Sequence, residues 1–175
     1  MAVLIEAISV IVRMPAIIEI YPGGWEAFRD AAPNETLCAD AKLARVGFMT
    51  PVDVEAFVKE LESKGLTFAG SEAASNIAVV DQLAGFTDDC NWAEYGSVNI
   101  DGNPIKLCRA VGDESHTLIM PDGWVYEHSL SRTYTFVPNE HIEKSMKYLR
   151  HENGLDVYLN TVTGKEEYIG RTGER

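Results

Sequence analysis

Residues 101–107 have the sequence Asp-Gly-Asn-Pro-Ile-Lys-Leu, which is typical of a tight β-hairpin. An Asp-Gly pair favours a two-residue turn, because both turn positions need a positive φ that these residues tolerate. The flanking segments, Trp92–Ile100 and Ile105–Ala110, contain the β-branched and aromatic residues that strands prefer. The sequence therefore predicts two antiparallel strands that meet at Asp101-Gly102.

Upstream of this hairpin, Val52–Lys64 has the periodicity of an amphipathic helix. Thr50 or Asp53 can cap its start, and Gly65 stands where helices commonly end. Its apolar residues recur at i, i+3, i+4 and i+7, the spacing of one helical face: Val54, Phe57, Val58 and Leu61. Short β-branched segments are predicted to be strands: Ala7–Arg13, Leu43–Met49 and Ile77–Val80.

Three of these pieces together resemble a module of the vicinal oxygen chelate superfamily, the glyoxalase and bleomycin-resistance fold. They are Leu43–Phe48, the helix residues Val54–Leu61 and the 101–107 turn. The resemblance covers residues 43–109, and it predicts that the helix packs on one sheet that contains both Leu43–Met49 and Ile105–Ala110. It implies an α+β fold of βαβββ-type modules, with a curved, mostly antiparallel sheet and helices on one face. Two modules pair to form a cup in this superfamily. Within one domain, 1–175, residues 116–170 would supply a divergent second module, or the chain would form a homodimer.

In this superfamily a metal is often held by a His on the first strand of a module and a Glu on its last strand. The resemblance aligns these positions with Arg45 and Lys106, whose cationic side chains cannot be metal ligands. It therefore implies no metal, and no other cofactor is expected. If the cup is functional, both cations should lie on neighbouring strands and converge inside it, where they could hold a small organic anion, with Phe48, Trp92 and Trp124 as apolar walls. The alternative is that both cations face solvent.

The C-terminal part is expected to contain further strands and a second helix. The helix is predicted over Asn139–Asn153, because Ile142, Met146 and Leu149 form an apolar stripe. Several residue types of the first helix recur there in the same order, which favours an internal duplication. The alternative is that any unit of strand, proline, helix and glycine shows this pattern. The predicted strands are Thr117–Met120, Trp124–His128, Thr133–Val137, Leu155–Val162 and Glu166–Ile169.

The charge of the chain limits its partners. It carries 27 acidic and 15 basic residues, a net charge of −12. Such a surface repels nucleic acid and anionic membranes, so neither is expected as a partner. It suits a basic protein, or solubility alone.

The cysteines and the start of the chain favour a cytoplasmic protein. The three cysteines are widely spaced and form no CxxC pair, so we expect a reducing environment and no structural zinc. The apolar segment Met1–Val12 lacks the basic region of a signal peptide, and no segment has the length of an apolar membrane span.

These observations favour a non-catalytic module that binds a small molecule or a protein without the superfamily's metal site. The first alternative is an enzyme with a displaced active site. A separate hypothesis is a metal held by His116, Asp122 and His128, which are residue types that bind zinc. The second alternative is an acidic inhibitor or immunity-type protein that neutralises a basic partner.

Overall fold

The structure, a computed structural model, describes residues 1–68, 75–115, 117–131, 135–138, 146–153, 155–160 and 164–172. It confirms the predicted α+β class with mostly antiparallel strands. Three helices occur within the described residues: α1 (Met14–Glu19), α2 (Gly24–Asp30) and α3 (Pro51–Ser63). None of the helices in these ranges is both long enough and apolar enough to cross a bilayer.

A five-stranded sheet forms the centre of the molecule. Its middle strand, β2 (Ile8–Arg13), is antiparallel to β4 (Leu43–Phe48) on one side and to β5 (Ile77–Asp81) on the other. It is almost entirely buried, which fits its β-branched composition. The order across the sheet is β3 (Cys38–Ala39), β4 (Leu43–Phe48), β2 (Ile8–Arg13), β5 (Ile77–Asp81) and β6 (Gly85–Phe86).

The three helices pack on one face of this sheet. Alternate residues of β2, namely Ile8, Val10 and Val12, belong to the core cluster that contains the apolar side of α3. Of the two predicted caps, Thr50 is the one that caps α3, since its Oγ1 accepts a hydrogen bond from the Asp53 N–H at 3.3 Å.

A second sheet of four strands covers the opposite face. Its order is β7 (Ala93–Ile100), β8 (Asn103–Ala110), β1 (Ala2–Leu4) and β9 (Leu118–Ile119). The hairpin of β7 and β8 turns at Asp101 and Gly102, which have φ of 52° and 84°, as the sequence predicts. Between the two sheets lies a smaller apolar core, which includes Val3, Ile11, Leu43, Val80, Ala93 and Cys108.

The prediction that the segments Leu43–Met49 and Ile105–Ala110 share one sheet with the helix is wrong. The strand β4 lies in the five-stranded sheet under α3, whereas β8 lies in the other sheet and pairs with β1. The chain passes from β1 to β2 through a positive φ of 57° at Ala7, so these two N-terminal strands enter different sheets. The superfamily resemblance itself stays a prediction.

The predicted second helix is also wrong over the residues that the structure describes. Residues Met146–Glu152 form a strand, β11, and the start of the predicted helix, 139–145, lies outside the described residues. Glu152 pairs with Leu155, so the chain turns sharply between two antiparallel strands, and Asn153 has a φ of 52°. An Asn-Gly pair is a strong hairpin signal, and here it outweighs the apolar stripe. The internal duplication predicts a second helix that matches α3, and residues Met146–Glu152 do not form that helix.

The rest of the C-terminal part forms a third sheet, of four strands. Its order is β10 (Thr135–Pro138), β13 (Glu166–Thr172), β12 (Leu155–Asn160) and β11 (Met146–Glu152). The predicted strands near these positions are confirmed with shifted ends. The predicted strand Trp124–His128 is wrong, because Tyr126–His128 form a turn of 3-10 helix.

Burial of the apolar side of α3 gives the first test of this architecture. Leu61 is 1% exposed and belongs to the core between α3 and the sheet. We expect Leu61→Ala to lower the free energy of unfolding by about 2–5 kcal/mol. Val52→Ala is the matched control on the same helix, since Val52 is 53% exposed, and it should change stability by less than about 0.5 kcal/mol. Urea denaturation measures both, and equal effects would contradict the packing.

Candidate functional site

A buried arginine lies between the two N-terminal sheets. Arg45 alternates with Val46 on β4, so its side chain leaves the strand on the face away from the helices. It is 3% exposed. Its Nε donates to Ser9 Oγ at 2.9 Å, its Nη2 to the Glu6 carbonyl oxygen at 2.9 Å and its Nη1 to the Thr36 carbonyl oxygen at 3.2 Å. Burial lowers the pKa of this guanidinium.

Gly47 provides the space for this guanidinium. A Cβ at this position would overlap the Arg45 side chain, which runs along the same face of the strand. The backbone of Gly47 also holds the loop before β3, because its N–H donates to Thr36 Oγ1 at 2.7 Å and its carbonyl accepts from Asn34 Nδ2 at 2.8 Å. The sequence Arg-Val-Gly therefore positions both the cation and the neighbouring loop.

The buried carboxylate of Glu6 binds a loop that is distant in sequence and lies beside Arg45. Glu6 lies in the crossover between β1 and β2. Its Oε1 accepts a hydrogen bond from Trp124 Nε1, and its Oε2 accepts from the N–H of Ser131 and from Ser131 Oγ, the latter at 2.9 Å. Three donors therefore hold the segment that follows β9 against the start of the chain.

These two groups line one cavity of about 550 Å³. Arg45, Phe48 and Trp124, three of the five predicted ligand residues, come together here. Met49 and Leu130 add apolar surface, and the other polar lining residues include Glu6, Asn34, Asp53, Asp122 and His128. A mostly apolar cavity with a few polar groups is the usual form of a small-molecule site.

The electrostatic state of the cavity depends on how Arg45 and Glu6 are paired. Among the described residues, no carboxylate oxygen lies within 4.0 Å of an Arg45 nitrogen. The Glu6 carboxylate meets Trp124 and Ser131 instead, while only the Glu6 backbone carbonyl meets the guanidinium. The guanidinium of Arg45 therefore donates to neutral acceptors, while the Glu6 carboxylate acts on its charge without contact and raises its pKa against the larger effect of burial.

The structure does not bring Lys106 and Trp92 to this cavity. Lys106 lies in the other sheet, with Nζ 5.7 Å from the centroid of the Tyr95 ring. Trp92 donates from Nε1 to Ser75 Oγ at 3.0 Å. The prediction that Arg45 and Lys106 lie on neighbouring strands and converge is therefore wrong.

The structure describes two of the three hypothetical metal ligands. Asp122 and His128 line the same cavity, and His116 lies outside the described residues. Within the described part of the chain, no group of three or more His, Cys, Asp or Glu side chains has an arrangement that could hold a metal ion.

Sequence reasoning missed Glu6, whose role became clear only from the structure. Its one signal is a single carboxylate within the apolar segment Met1–Val12. A buried acid in such a segment needs donors, but the donors come from residues more than a hundred positions away. Their identity could not be derived from local sequence.

Comparison with known proteins gives no match: no family model, no curated protein and no solved structure is similar to this chain. The cavity geometry is therefore the basis on which a function can be argued.

Removing the charge of Glu6 tests how the loop is fastened. In Glu6→Gln the amide keeps one acceptor oxygen and turns an NH₂ group toward a donor, so at least one of the three bonds is lost. We expect a loss of about 1–3 kcal/mol in the free energy of unfolding. Urea denaturation followed by tryptophan fluorescence measures it, with the exposed Glu35→Gln as the matched control. Equal stability of the two variants would show that the carboxylate does not hold the loop.

Proposed function

We propose that this chain binds a small organic anion in the Arg45 cavity, without chemically changing it. The observation that carries the proposal is the buried guanidinium with no described carboxylate within 4.0 Å. A buried charge loses much of its hydration, and an opposite charge nearby offsets that loss. An anionic group in the cavity would stabilise Arg45 in this way.

The walls of the cavity support a ligand with an apolar body. Phe48, Met49 and Trp124 offer apolar surface beside the cation. Most of the Arg45 donors are already bound to protein acceptors. Arg45 would therefore act chiefly through its positive potential in a poorly hydrated site, where charge interactions are stronger than in water. The ligand that fits is a monocarboxylate with a small apolar group.

Carboxylates at the rim set a limit on the ligand's charge. Asp53 and Asp122 also line the cavity, and both are exposed. They repel an entering anion, and more strongly if it carries two charges. The proposal therefore favours a monoanion over inorganic phosphate.

The remaining sequence-based expectations stay predictions beside this proposal. They are a glyoxalase-like module, a homodimer, a cytoplasmic location, an enzyme with a displaced site, and an acidic protein that binds a basic partner. Cys38, Cys90 and Cys108 are free thiols, which supports a reducing location.

Reversing one rim charge tests the proposal without disturbing the buried network. Asp122→Lys should strengthen benzoate binding roughly three- to tenfold at low salt, because it replaces a repelling charge with an attracting one. Asp89→Lys makes the same change in net charge on an exposed loop that does not line the cavity, and should have little effect. Isothermal titration with benzoate, acetate and phosphate measures the affinities.

A second variant tests the location. Met49→Trp fills the cavity from its wall and should weaken benzoate binding, whereas Lys106→Ala should leave it unchanged because Lys106 lies elsewhere. Binding that depends on Lys106 but not on Met49 would place the anion at another site. No binding of any carboxylate at millimolar concentration, in either the unmodified chain or Asp122→Lys, would end the proposal.

A further inference from the structure

A second and larger cavity, of about 950 Å³, lies between α3 and the central sheet. It has no lining residue in common with the Arg45 cavity. Its apolar walls come from β2, from the inner side of α3, from the segment after α3 and from β5: Ile8, Val54, Val58, Phe68 and Val79. A space of this size and composition suits a small apolar molecule.

One wall residue is a buried acid, Asp81, at the end of β5. It is 3% exposed. Asp81 pairs with Ile8 and lies two residues after Val79 on β5, so all three side chains lie on the face toward the cavity. Burial raises the pKa of its carboxyl group.

The two oxygens of this carboxyl group differ in their bonding. Oδ1 accepts hydrogen bonds from the N–H of Leu83 at 2.8 Å and of Ala84 at 2.9 Å. Oδ2 is buried and has no hydrogen-bond donor among the described residues. Buried polar atoms without a partner are rare in folded proteins, and each calls for an explanation. In the ionised form of Asp81, Oδ2 lacks a donor, and a cation in the adjoining cavity would supply one and keep the carboxylate ionised.

The charged residues around the cavity indicate the charge of the ligand group that would donate to Oδ2. Glu55, Glu62 and Asp81 line it together with one basic residue, Lys59. Lys59 is already paired, since its Nζ lies 2.7 Å from Glu55 Oε1. Glu62 and Asp81 remain, and Asp81 is the buried one of the two, so the charge next to the apolar walls is negative and attracts a cation.

We propose that this cavity binds a small apolar amine, whose ammonium group donates to Asp81 Oδ2 while its hydrocarbon body lies against Val54, Val58 and Val79. Because Oδ2 is buried, the ammonium group reaches it by displacing the side chains that cover it, and the compact shape of the group keeps that displacement small. The acidic lining and the apolar walls match the two parts of such a ligand. This site takes the opposite charge from the Arg45 cavity.

The test uses a series of arylalkyl amines of increasing length, beginning with 2-phenylethylamine, and methyl-labelled full-length protein. We expect the methyl signals of Val54, Val58 and Val79 to shift on titration. The isosteric alcohol, 2-phenylethanol, should bind at least tenfold more weakly, because it carries no charge.

Asp81→Asn separates the acid from the apolar walls. Its amide oxygen can keep the two backbone bonds of Oδ1, while an NH₂ donor replaces Oδ2. We expect at least a tenfold loss of amine affinity with little change for the alcohol. Asp89→Asn, at an exposed position after β6 that does not line the cavity, should bind the amines like the unmodified chain.

Val52→Trp provides a second variant that does not touch the core, because Val52 lines the cavity and is mostly exposed. It should narrow the entrance and weaken the binding of the longer amines. Equal amine affinity in Asp81→Asn and the unmodified chain, equal affinity for amine and alcohol, or no methyl shift with any amine would each overturn the proposal.

Discussion

The guanidinium of Arg45 is the interaction on which the N-terminal part of the structure depends. One side chain joins β2 through Ser9, the crossover between β1 and β2 through the Glu6 carbonyl, and the loop before β3 through Thr36. The three acceptors lie in three different segments of the chain, and Arg45 links these segments to β4. Because the side chain is buried, each bond forms where water does not compete with it. Gly47 must remain without a side chain, because a Cβ at this position would overlap the Arg45 guanidinium.

The crossover at Glu6 and Ala7 gives this arginine its position between two sheets. The backbone of Ala7 is held on both sides by Gln82, whose Oε1 accepts the Ala7 N–H at 2.8 Å and whose N–H donates to the Ala7 carbonyl at 2.9 Å. The chain therefore changes sheet at a fixed point. The Glu6 side chain then reaches the loop with Trp124 and Ser131, which completes one side of the cavity.

Local signals predicted the elements that local interactions stabilise. The periodicity and caps of Val52–Lys64 located α3 within one residue at each end, and Asp101-Gly102 located the first hairpin. The Asn153-Gly154 pair is a similar hairpin signal, and it outweighs the apolar stripe through Met146 and Leu149, so the predicted helix is wrong over Met146–Glu152. The pairing of β8 with β1 could not be predicted, because it depends on a long-range choice that the hairpin's own sequence does not specify. For the site, Arg45, Phe48 and Trp124 were identified, whereas the role of Glu6 depends on donors far along the chain.

The most direct test of this account is hydrogen exchange at the Nε–H of Arg45, measured by NMR on ¹⁵N-labelled protein and assigned through its side-chain carbons. A buried Nε–H bonded to Ser9 should exchange far more slowly than that of Arg29, which is mostly exposed. Addition of benzoate should shift the Arg45 signal and leave that of Arg29 in place. Exchange as fast as that of Arg29, or a signal that benzoate does not change while it binds, would contradict the claim that a buried Arg45 forms the cationic side of the cavity.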